Sequence, residues 1–159
     1  MSKSKQNRRQ SARSGRGAGT QSQQAPQFQP IEALPTLAQH IDGMLAADRE
    51  QYQNLLQARP KPYILDDATV NRVITAFTTQ SGDFWLFDEQ LRRWLAMQLT
   101  DGQRSEVERL VEQMRRLREN TTKVLLLARE LSKGTIEKVM AKSDAELGLD
   151  SLLKGFPNV

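Results

Sequence analysis

The chain has no cysteine among its 159 residues and a single histidine, His40. Disulfides, thiolate catalysis, cysteine-ligated zinc and iron–sulfur clusters are therefore excluded by chemistry. His40 stands two positions before Asp42, a spacing that turns the two side chains to different sides of a helix. No Glu-x-x-His or His-x-x-x-His pair accompanies it, so neither a metal site nor an acid–base dyad is expected, and no cofactor. A glycine-rich phosphate loop following a strand is missing as well. With no catalytic constellation in view, the expectation is a protein that is not an enzyme.

Long apolar runs are also lacking. The longest, Val124 to Ala128, is five residues, against the roughly 20 needed to cross a bilayer, so no membrane span is expected. No bulky apolar side chain lies between Met1 and Phe28. A secretory leader needs such a stretch after its positive start, and the expected location is the cytoplasm.

Acids are absent from the first 24 residues, which carry Lys3, Lys5, Arg8, Arg9, Arg13 and Arg16. The formal net charge of +4 is thus misleading, because the remaining 17 basic and 19 acidic residues leave the body slightly negative. Residues 1–30 are mainly Ser, Gln, Gly, Arg and Ala, too polar to offset the entropy of ordering. A disordered basic tail is expected there, and one helical domain over 31–155. The stretch Arg13-Ser14-Gly15-Arg16-Gly17 is similar to arginine- and glycine-rich RNA-binding segments. That resemblance implies nonspecific phosphate contact through Lys3, Lys5, Arg8, Arg9, Arg13 and Arg16.

From Ile31 onward, apolar residues recur at helical spacing, and no convincing alternating strand interrupts them. Leu34, Leu37, Ile41, Met44, Leu45, Tyr52, Leu55 and Leu56 predict a helix over about 34–58, weakened in its middle by Gly43 and Asp48 and ended by Pro60 and Pro62. Asp66 or Asp67 caps a short second helix, with Val70, Val73, Ile74 and Phe77 on its inner face, which Ser81 and Gly82 break. Phe84, Trp85 and Phe87 form an aromatic cluster expected to anchor the core. They lead into a helix over about 88–99 and a turn at Thr100-Asp101-Gly102.

The strongest helix signal begins at Ser105, where Ser105 and Glu108 form a capping-box pattern. Val107, Leu110, Met114, Leu117, Thr121, Val124, Ala128 and Leu131 then follow in alternating three- and four-residue steps, the heptad pattern of a helix packing along a seam. Val107, Leu110, Met114, Leu117, Val124 and Leu131 are the candidate interaction seam. The consecutive Val124, Leu125, Leu126 and Leu127 need cover from more than one neighbour, which favours a bundle over a free rod.

After Gly134, a brief helix at Thr135 to Lys142 and a last one capped by Ser143 are expected. Leu147-Gly148-Leu149-Asp150-Ser151-Leu152 resembles the phosphopantetheine attachment site of acyl and peptidyl carrier proteins. A full helix and a further one follow the serine in that family, whereas eight residues follow Ser151 here, and the segment is read as an amphipathic terminal helix. The resulting expectation is an all-α helical bundle with one long heptad-patterned helix and a disordered basic N-terminal tail. By elimination it is an interaction or assembly protein that meets a protein partner, or itself, through its helices. Contact with nucleic acid through the tail is the alternative.

Overall fold

The computed structural model describes residues 26–154. Among these, the chain is helical with no strand: α1 (Leu34–Ala58), α2 (Asp67–Leu95), α3 (Asp101–Leu131) and α4 (Ile136–Lys154), with single 3-10 turns at Ile31–Ala33 and Pro62–Ile64. The basic tail residues Lys3, Lys5, Arg8, Arg9, Arg13 and Arg16 lie outside the described residues. No described helix is long and apolar enough to cross a membrane.

The first three helices run up, down and up. Asp42 and Asp48 of α1, and Arg59 just after its end, meet Arg109, Thr121 and Glu130 of α3 in the same order, so α1 and α3 are parallel. Between them α2 runs the opposite way, with Asp88 beside Arg118 and Gln80 beside Thr121. Both α1 and α2 pack along α3, but they approach one another only sparsely.

Three boundaries differ from the sequence expectation. Helix α2 passes unbroken through Ser81 and Gly82. A glycine inside a helix costs about 1 kcal/mol, whereas burying one large apolar side chain contributes about 1.5–3 kcal/mol. Phe84, Leu91 and Trp94 beyond the glycine are at most 4% exposed, so continuing the helix wins. Ser81 keeps its hydroxyl satisfied by donating to the Thr78 carbonyl at 2.8 Å.

Helix α3 starts four residues before the expected Ser105. The Thr100 hydroxyl accepts from the Gln103 amide, and the Gln103 side chain accepts from the Thr100 amide, which is the reciprocal capping box one turn upstream. The residues expected as a turn are its cap and first turn. Likewise α4 is one helix rather than two, running through Ser143, and Asp150-Ser151 lies inside it rather than at a helix start.

The core divides into two clusters. One gathers Leu34, Ile41, Leu45, Phe84, Leu91, Trp94, Val107, Leu110, Met114 and Leu117; the other gathers Leu55, Val70, Val124, Leu127, Ala128 and Leu131. Between them lies a polar layer, one residue from each of the first three helices: Asp48, Gln80 and Thr121. Asp48 is 1% exposed. Its carboxylate accepts from Gln80 Nε2 at 2.9 Å and from the Thr121 hydroxyl, because a buried charge needs partners when solvent is removed.

Helix α4 belongs to neither cluster. Its first turn is pinned to the start of α2: the Thr135 hydroxyl donates to Asp67 at 2.6 Å, the Ile136 amide to the Leu65 carbonyl at 3.0 Å, and the Asp67 amide to Glu137 at 3.0 Å. Gly134 makes this approach possible, since a Cβ there would stand 2.7 Å from Pro62 Cγ. Beyond the Pro62–Ile64 turn, α4 packs appreciably against no other element.

Candidate functional site

All six candidate seam residues, Val107, Leu110, Met114, Leu117, Val124 and Leu131, are at most 2% exposed. They are brought together along the inner side of α3 and are covered by this chain's own α1 and α2. The outer side of α3 is charged and largely self-neutralised. Arg109 clasps Asp42 at 2.8 Å and Glu106 at 2.8 Å, Glu112 accepts from both Arg115 and Arg116, and Arg115 also meets Glu119. These arginines hold the Asp42 and Glu106 carboxyls below the usual carboxylate range, and the Glu112 carboxyl down to about 2. Such a face is solvated and already paired.

What remains open is the side of the bundle opposite α3. Between α1 and α2, whose backbones seldom come close although their side chains touch, runs a groove lined from α1 by Thr36, His40 and Met44 and from α2 by Ala76, Thr79, Asp83 and Phe87. The part lined by both helices holds about 480 Å³. Met44, Leu86 and Phe87 are half-buried there instead of closed off, and Asp83 is the only formally charged side chain in the lining. His40 stacks on Phe87 with ring centroids 5.7 Å apart, a pairing of rings across the two helices. Asp42 points to α3 instead, where Arg109 and Gln113 hold it, so the histidine and the aspartate do not act together. Among the described residues no group of three His, Asp or Glu side chains is placed to hold a metal ion.

A second feature lies on the outer side of α2. Residues 26–30 form an extended strap, fixed where the Gln29 amide donates to Gln90 Oε1 at 2.6 Å, and the Gln29 carbonyl accepts from Gln90 Nε2 at 3.1 Å and from Trp94 Nε1 at 2.9 Å. Arg93 sits over the Phe28 ring at 3.9 Å, a cation–π contact. Pro26, Phe28 and Trp85 flank a shallow cleft with Glu89, Arg92 and Arg93. Glu89 accepts from both arginines, which pull its carboxyl down to about 2. The aromatic cluster expected to anchor the core is split by the helical period. Phe84 is buried and Trp85 is 54% exposed.

The third feature is α4, where Val139, Met140 and Leu149 are exposed, two of them at 60%. Neither the groove nor the strap was found by sequence reasoning. Met44 and Phe87 have the spacing of core positions and pack against the core cluster, yet each keeps one side on the groove. No family model matches the chain, and neither a curated protein nor a solved structure is significantly similar to it.

Proposed function

We propose that the chain is a non-enzymatic helical interaction or assembly protein of the cytoplasm, with the α1–α2 groove as its working surface and the basic tail as an accessory electrostatic arm. The observation that carries this reading is the open groove itself. Two helices supply an apolar floor of Met44, Leu86 and Phe87, and no described element covers it. An amphipathic helix laid there would complete a four-helix bundle and bury apolar surface now facing water. The paired charges on the outside of α3 offer a partner little, since screened and already neutralised groups contribute weakly.

The test is affinity purification from the native cell with the intact chain and with Ala76→Glu, which sets a charge in the groove at an exposed position. Proteins held by the intact chain and lost on Ala76→Glu, at unchanged helical circular dichroism, support the reading. Identical sets overturn it.

A second reading, nucleic-acid contact through the tail, draws on the strap. The described chain begins at Pro26 beside the exposed Trp85, so a cationic arm entering there would meet a ring on which a base can stack. Binding of single-stranded RNA that falls steeply with salt and weakens on Trp85→Ala supports it, and binding indifferent to both changes contradicts it.

A further inference from the structure

We infer that the α1–α2 groove receives an arginine side chain, carried among apolar residues on a partner protein. The inference rests on the reading of the groove as an interaction surface and names the chemistry of what it takes.

The groove presents hydrogen-bond acceptors that nothing in the chain answers. A carboxylate offers acceptors only, so Gln80 must turn its NH2 inward, where it donates to Asp48 at 2.9 Å. Its Oε1 bonds to no described residue and is left for the groove that Gln80 lines. Donation to a buried charge polarises the amide and makes that oxygen the stronger acceptor. Asp83 follows one helical turn along α2 on the same side and brings the only formal charge in the lining. The next acids on the helix are taken, Asp88 by Arg118 and Glu89 by Arg92 and Arg93, whereas no described cation pairs with Asp83. Beside these acceptors stand the stacked rings of His40 and Phe87, and Met44.

An open amide oxygen, an unpaired carboxylate and aromatic rings together suit a flat cation with several donors. Guanidinium is planar, forks onto neighbouring acceptors and lies against rings, which a compact ammonium does less well. The chain holds the same trio already filled on the outer side of α2, where Arg93 sits over Phe28 at 3.9 Å and donates to Glu89 at 2.8 Å. The chain's own tail is a poor source despite Arg8, Arg9, Arg13 and Arg16, because no bulky apolar residue precedes Phe28 to cover Met44, Leu86 and Phe87. A partner segment that sets its arginine between apolar side chains satisfies the floor and the acceptors at once.

The experiment is an NMR titration of the full chain, isotope-labelled at its methionine methyls, with butylguanidinium and with butylurea, an uncharged counterpart of nearly the same shape. Met44 reports on the groove, and Met97 and Met140, exposed elsewhere, are references. Wild type is compared with Asp83→Asn and with Glu108→Gln, which removes an acid from α3; both positions are exposed, so the fold has no reason to fail. The expected result is a saturable shift of Met44 by butylguanidinium in wild type and Glu108→Gln, with Met97 and Met140 unmoved. Binding should be weaker by about tenfold or more for butylurea and for Asp83→Asn. No saturable shift at Met44, equal binding of the two probes, or binding indifferent to Asp83→Asn overturns the inference. A set of cellular partners that survives Asp83→Asn but not Ala76→Glu overturns it too, and leaves the interaction reading standing.

Discussion

The hydroxyl of Thr121 on α3 donates to the carboxylate of Asp48 on α1, 73 positions away in the chain, at the level where the two halves of the core meet. Gln80 of α2 supplies the other donor, and no described cation forms a salt bridge with the carboxylate. Burial therefore outweighs the two hydrogen bonds and pushes the Asp48 carboxyl above its ordinary value of 3.8.

That shift has a sign. Between the ordinary carboxylate range and the raised value, the folded state holds a proton that the unfolded chain has released, so stability falls as pH rises through this window. Asp48→Asn can still accept from Gln80 through its oxygen and donate through its NH2 to a Thr121 hydroxyl turned to accept, and it cannot ionise. Its urea midpoint should be at or above that of wild type at pH 7, and the difference should shrink as pH falls towards 4. The depressed carboxyls of Asp42, Glu89, Glu106 and Glu112 act in the opposite direction, but they are common to both proteins and cancel in the comparison. A difference that grows on acidification would contradict this account of the polar layer.

Leu117 is 0% exposed in the larger core cluster. Leu117→Asp must bury a charge without a partner or open the packing, and either should cost on the order of several kcal/mol. The volume-conserving Leu117→Met should cost less than about 1.5 kcal/mol. Urea unfolding of both variants decides the matter, and equal midpoints would mean that this side of α3 is not the core.

Gln90 is 6% exposed and makes two of the three side-chain bonds to the Gln29 backbone, Trp94 making the other. Gln90→Ala leaves the Gln29 amide without its partner, a loss of about 1–3 kcal/mol where the group stays dry. The strap should respond by lifting off. Amide exchange at residues 27–30 should speed up while exchange in α3 is unchanged, and an unaltered rate at Gln29 would refute the clamp.

Much of this architecture was legible in the sequence, and the failures have physical causes. The spacing from Val107 to Leu131 marked the inner side of α3 because nearly every third or fourth residue is apolar and, over the first half, most positions between them are charged. Ser81-Gly82 suggested a break because local propensity favours one, yet the burial of Phe84, Leu91 and Trp94 carries α2 through. The Ser105–Glu108 pattern had a competitor at Thr100–Gln103 that sits nearer the preceding loop. Asp48 registered only as a flaw in an apolar stripe, since its partners Gln80 and Thr121 lie far away in sequence. The groove left no trace in the sequence, because Met44 and Phe87 have core spacing and their partial exposure depends on how α1 and α2 are placed on α3.

The absence of cysteine makes the groove directly testable. A single thiol placed by Ala76→Cys, with Thr122→Cys on the exposed outer side of α3 as reference, can be alkylated in dilute purified protein and again in concentrated native extract. If the groove is the working surface, alkylation at position 76 slows markedly in the extract, while the rate at position 122 stays close to its value in dilute solution. Equal rates at position 76 under both conditions would contradict the account.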